Sequence, residues 1–155
     1  MISQTTEYAL RAMVLLCSDT DRSWKTSEIA RLTKVPPDYL AKVLQQLGRA
    51  DLVVGTRGAG GGFRLAKDPK GTTLLEVVNA VDPLPRIRTC PLGLRSHGTR
   101  LCALHKRLDA ATQLVENAFG ESTLAELVAQ SHEPTASRPC DFPLRASTAP
   151  TKSKR

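Results

Sequence analysis

Three features of the chain predict a mainly α fold, a winged helix-turn-helix extended by a long C-terminal dimerisation helix. The first is a pair of short amphipathic segments, one from Thr26 to about Thr33 and one from Pro37 to about Leu47 or Arg49, with almost nothing between them. The second is a glycine loop, Gly58-Ala59-Gly60-Gly61-Gly62, set between two short apolar triplets. The third is an apolar repeat from Leu101 to Ala118 whose spacings alternate three and four.

Each element has its own local cause. Thr5 to Cys17 reads as a first helix, because Ala9, Leu10, Met13, Val14 and Leu16 give it a broad apolar face. Asp19-Thr20-Asp21 breaks it. Thr26 is the expected N-cap of the second helix, with Glu28 favourable in its first turn and Ile29, Ala30 and Leu32 inward. Val35-Pro36-Pro37 ends that helix and opens the third, since proline costs nothing at the first helical position. Leu40, Val43, Leu44 and Leu47 form the inner stripe of the third helix, and Asp38, Lys42, Gln45 and Arg49 its outer face. Leu52-Val53-Val54 and Phe63-Arg64-Leu65 read as strands flanking the glycine loop, which is too loose for a tight primed turn but can follow a phosphate backbone closely.

Downstream, Thr73-Leu74-Leu75-Glu76 is a capping box for a helix to about Val81. Asp82 to Arg100 is irregular, and Leu101 to Phe119 is a long helix closed by Gly120. Its seam, Leu101, Leu104, Leu108, Ala111, Val115 and Ala118, has nothing to bury against in a lone helix, so a homodimer is expected. Thr123-Leu124-Ala125-Glu126 is a second capping box for a last short helix to about Ala129. From Ser131 onward proline, serine, threonine and basic residues dominate, which predicts a disordered basic tail over 131–155. The organisation is thus a winged helix-turn-helix domain over 1–82, a sensor loop and dimerisation helix over 83–130, and the tail.

Composition narrows the function. A formal charge of +7 over 155 residues suits a polyanionic partner. Aromatic residues make up only 4%, too few for recognition of single strands by base stacking. No apolar run approaches the ~20 residues that span a bilayer, and the N-terminus lacks a signal-peptide pattern. A cytoplasmic protein with no membrane partner and reduced thiols is expected. No enzyme is expected either: the glycines precede a strand rather than a helix, and no nucleophile with a base stands out.

For a helix-turn-helix, Pro37, Asp38, Tyr39, Lys42 and Gln45 lie where base edges or phosphates are met. Arg57 reaches phosphate or the minor groove from the wing, where Gly60 and Gly61 allow close approach. Dimeric symmetry favours palindromic double-stranded promoter DNA. The competing view is a winged-helix module for protein interaction, its polar helix face merely solvated.

The ordered set Glu7-Tyr8-Ala9-Leu10-Arg11, Ile29-Ala30, Tyr39-Leu40-Ala41-Lys42-Val43-Leu44, Arg57 to Leu65 and Thr73 to Val78 resembles the IscR/NsrR-like regulators, the Rrf-two family. The resemblance covers about Met1 to Val128. It implies a winged-helix dimer that represses or activates promoters, in many members under the control of an iron–sulfur cluster. Cluster-binding members resemble this chain with three evenly spaced cysteines, of which Cys90 matches the first and Cys102 the third, while Ser96 stands in the middle position. His105 matches a histidine ligand, and Glu7 falls where an acidic ligand comes from the first helix, of the same or the partner subunit.

Four readings of this region stay open. A 2Fe–2S cluster takes Cys90, Cys102 and two of His105, Glu7 or His97. Zinc takes Cys90, His97, Cys102 and His105. A thiol switch uses Cys90 and Cys102, their acidity raised by Arg86, Arg88 and Arg100. In the fourth, nothing binds. Cys17 reads as core and Cys140 has no role. The expectation is a DNA-binding transcriptional regulator, a repressor, that senses redox state, nitric oxide or iron–sulfur status. The alternative is a cofactor-free regulator.

Overall fold

A computed structural model describes residues 2–93 and 100–130. The order is α1 (Gln4–Cys17), α2 (Thr26–Thr33), α3 (Pro37–Arg49), β1 (Val53–Thr56), β2 (Gly62–Leu65), α4 (Leu74–Val81), α5 (Ala103–Glu121) and α6 (Leu124–Gln130). The mainly α, winged-helix expectation holds. The tail expected to be disordered, 131–155, and His97 lie outside the described residues.

α1 starts one residue earlier than its apolar face indicates, because Ser3 caps it by accepting from the Thr6 backbone N–H. Its buried side, Ala9, Ala12, Met13, Leu15 and Leu16, is the centre of the molecule, against which α2, α3, α4 and α6 all pack. Thr26 is not the N-cap of α2. Lys25 holds that place in an extended conformation, and its carbonyl accepts from the Glu28 and Ile29 amides. The shift follows from Trp24, whose backbone pairs with Phe63 as an isolated bridge and keeps the preceding chain extended. Lys34 then closes α2 in the left-handed region at φ 57°, and Pro37 opens α3. Leu40, Val43, Leu44 and Leu47 are all fully buried.

The wing is an antiparallel pair in the register Val53↔Leu65, Val54↔Arg64, Gly55↔Phe63 and Thr56↔Gly62. Leu52 is not part of β1: its N–H still closes on Leu47 of α3 after a left-handed Asp51 at φ 54°. The strand therefore begins at Val53. The tip is tighter than expected, because the Gly61 N–H donates to the Gly58 carbonyl at 3.0 Å, with Gly58 at φ 108°.

Both capping boxes form. Thr73 and Glu76 exchange hydrogen bonds at the start of α4, and Thr123 and Glu126 do so before α6. A bridge between Thr73 and Thr123 fastens the two starts together and buries Leu124 completely. α5 begins two residues later than its apolar repeat suggests, with Cys102 as its N-cap, and runs through Gly120 to Glu121. Gly120 does not stop it, since the chain turns extended only at Ser122. A Cβ on Gly120 would stand 3.6 Å from Leu75, so the helix lies close on α4 at that end. Phe119 packs on the core there. Towards the other end the seam is open: Leu104 is 63% and Leu108 49% exposed. Among the described residues no helix is long and apolar enough to cross a membrane.

Candidate metal centre and nucleic-acid interface

The strap from Asp82 to Cys90 runs back along α5, and one arginine ties it down. Arg86 makes a two-pronged ion pair with Asp109 at 2.7 and 2.8 Å and a third bond to Glu116 at 2.7 Å. The Ile87 backbone N–H also donates to Asp109 at 2.9 Å. The Arg86 guanidinium, followed by the Ile87 amide, holds the Asp109 carboxyl down at about 2. The strap therefore travels opposite to the helix and delivers Cys90 beside its first turn.

There the sulfur of Cys90 lies 3.6 Å and that of Cys102 3.1 Å from His105 Nδ1. One donor atom from each of the three lies within 4.8 Å of the others. Cys102 sits at the N-cap and His105 three residues on, which turns both inward to one point. The His105 backbone amide, and then its imidazole, pull the Cys102 thiol down to about 7. Arginine was expected to do this, but Arg86 is committed to the two carboxylates.

Glu7 does not join this group within the subunit. It lies exposed on α1, paired with Arg11 one turn away. Cys17 packs against the core, and burial pushes its thiol up.

The outer face of α3 presents Pro37, Asp38, Lys42 and Gln45 to solvent, with Arg57 exposed on the wing. Tyr39 is only 36% exposed, because it is braced from α1: its hydroxyl meets Thr5 Oγ1 at 2.5 Å and its ring stacks edge-on against Tyr8 at 5.5 Å. Gly60 and Gly61 differ. A Cβ on Gly60 meets open space, whereas one on Gly61 falls 2.2 Å from the Thr56 carbonyl. Gly61 is thus needed by the turn itself.

Sequence reasoning missed two things here. Gln46 joins Lys42, Gln45 and Arg49 of the outer face in lining an open cleft of about 530 Å³. The Arg86 clamp was visible only as acidic residues seven apart on one helix face, Asp109 and Glu116.

Residues 2–130 match the Rrf2 family, described as iron-dependent transcriptional regulators. The chain belongs to the Rrf2 family. As an Rrf2 protein it is a DNA-binding transcriptional regulator rather than an enzyme. A protein of Aquifex aeolicus named as an HTH-type transcriptional regulator is 28% identical over 131 residues, covering 83% of this chain and 91% of its own. Among solved structures, T. potens IscR superposes with a TM-score of 0.72 at 19% identity, covering 89% of this chain and 93% of that one. CymR, the global cysteine regulator of B. subtilis, gives 0.68 at 21% identity, covering 83% of this chain and 96% of its own. At these identities the two structures speak for the Rrf2 fold.

Proposed function

We propose that this Rrf2 regulator is a homodimeric repressor of palindromic promoters whose DNA affinity is set by a metal centre at Cys90, Cys102 and His105. The observation that carries the reading is the convergence of those three donors at the free end of α5, where the apolar seam of the same helix lies uncovered. A change at the centre acts on the helix that joins two subunits, and so on the spacing of their two recognition helices. The organisation that suits this work is a DNA-binding unit over 1–82 and a sensing and dimerising unit over 83–130.

On DNA, α3 enters the major groove with Pro37, Asp38, Lys42 and Gln45, and Tyr39 at its edge. Arg57 and the glycine tip, Gly60 and Gly61, lie along the phosphates. The iron–sulfur cluster implied by the resemblance would draw on Cys90, Cys102 and His105, with Glu7 as the fourth donor. Within the subunit Glu7 pairs with Arg11 instead, so this fourth donor would come from the partner subunit.

Binding to duplexes selected from a random library tests the reading. Affinity falls steeply as salt rises, and the selected site is a palindrome. Selection that yields no enriched site would leave the protein-interaction module as the better account.

A further inference from the structure

The geometry points to a single tetrahedral ion of the Zn²⁺ class, rather than an iron–sulfur cluster, as the ligand of Cys90, Cys102 and His105. The inference rests on the reading that this group is a metal centre.

With bonds of about 2.3 Å to sulfur and about 2.0 Å to nitrogen, a tetrahedral ion holds neighbouring donors roughly 3.6 to 3.8 Å apart. Cys90 Sγ already stands 3.6 Å from His105 Nδ1. Cys102 Sγ is nearer, at 3.1 Å, and a small side-chain rotation opens that gap. All three donors fall within 4.8 Å, so one ion reaches every one of them. Donors shared between two irons stand further apart, because the metals and bridging sulfides come between them. Iron–sulfur clusters are held by four protein ligands, most often thiolates. Here the group has two thiolates and one imidazole among the described residues.

The donor types select the ion. Thiolate and imidazole suit zinc and similar borderline-soft ions, whereas magnesium and calcium require oxygen. Among the described residues three protein donors meet here, which leaves one tetrahedral position for a further ligand. The support is already built: Arg86, Asp109 and the Ile87 amide fix the strap three residues before Cys90. Metal sites depend on such outer partners nearly as much as on their ligands.

The test uses the full chain, purified anaerobically, assayed for iron, sulfide and zinc, then stripped and titrated with Co²⁺. The expected result is no sulfide, one Co²⁺ per subunit, the strong visible bands of tetrahedral cobalt, a thiolate charge-transfer band, and displacement by Zn²⁺. Cys102→Ser should lose the saturable binding. His105→Cys should keep it with a stronger charge-transfer band, which separates ligation from folding. Circular dichroism checks that each variant is folded. Equal iron and sulfide, with cluster absorption lost in Cys90→Ser, would overturn the single ion while leaving a metal-responsive regulator. Folded protein that binds DNA but takes up neither cluster nor Co²⁺ would overturn both.

Discussion

Arg86 and Asp109 join the irregular strap to α5 through two parallel hydrogen bonds of 2.7 and 2.8 Å. The same guanidinium holds Glu116 at 2.7 Å, two turns further along α5. Cys90, four residues after Arg86, reaches His105, four residues before Asp109, only because this pair sets the register.

Arg86→Ala should therefore weaken metal binding by about 10- to 100-fold without touching a ligand. Competition with a chromophoric chelator measures it. An unchanged affinity would show that Cys90 finds His105 without the clamp.

The His105 backbone amide, and then its imidazole, hold the Cys102 thiol down at about 7. Its thiolate fraction, and so its alkylation by iodoacetamide, should rise with a midpoint near pH 7 rather than near the ~8.5 of a free cysteine. A depressed thiol pKa means that the His105 contact stabilises the fold above the unfolded value and is lost as pH falls through about 7. His105→Ala should move the alkylation midpoint upward. Cys17, raised by burial, should react slowest of the described cysteines. Mass-resolved peptide alkylation across pH decides this, and a common midpoint for all cysteines would contradict it.

Lys42→Ala and Arg57→Ala should each weaken DNA binding on any sequence and reduce the slope of log affinity against log salt by about 1. Gln45→Ala should instead relax preference at one base pair, at a cost of about 1–3 kcal/mol on the selected site. Fluorescence anisotropy on selected and scrambled duplexes separates the two behaviours. Equal losses on both duplexes for Gln45→Ala would remove it from base recognition.

Leu108 is 49% exposed on α5. Leu108→Glu places a charge in the seam and should yield a folded monomer in sedimentation, with helical content retained and operator binding lost. A dimer that survives this substitution would place the interface elsewhere.

Most of the fold was legible because each element carried its own local signal. The inner stripe of α3 and the two capping boxes specify their helices without help from the rest of the chain. The boundaries that moved were those set by distant partners. Trp24 pairs with Phe63 and shifts the cap of α2 to Lys25, and Leu52 bonds back to Leu47 and delays β1. Gly120 reads as a stop, yet α5 runs through it to Glu121, with that glycine packed beside Leu75 of α4. In the candidate site, the meeting of Cys102 and His105 is local, between an N-cap residue and the third residue of the helix it caps. The arrival of Cys90 does not, since it depends on Arg86 crossing from the strap to Asp109 and Glu116. Long-range ion pairs leave no periodicity in a sequence.

The central claim is that occupancy of the Cys90, Cys102 and His105 group controls the hold on DNA. The direct measurement is the operator Kd of one preparation, metal-loaded and stripped, beside the same pair for Cys102→Ser. The account predicts a difference of roughly 5- to 150-fold in the native chain, the usual range of coupling between sites, and none in the variant. Equal Kd values for the loaded and stripped native chain would contradict it.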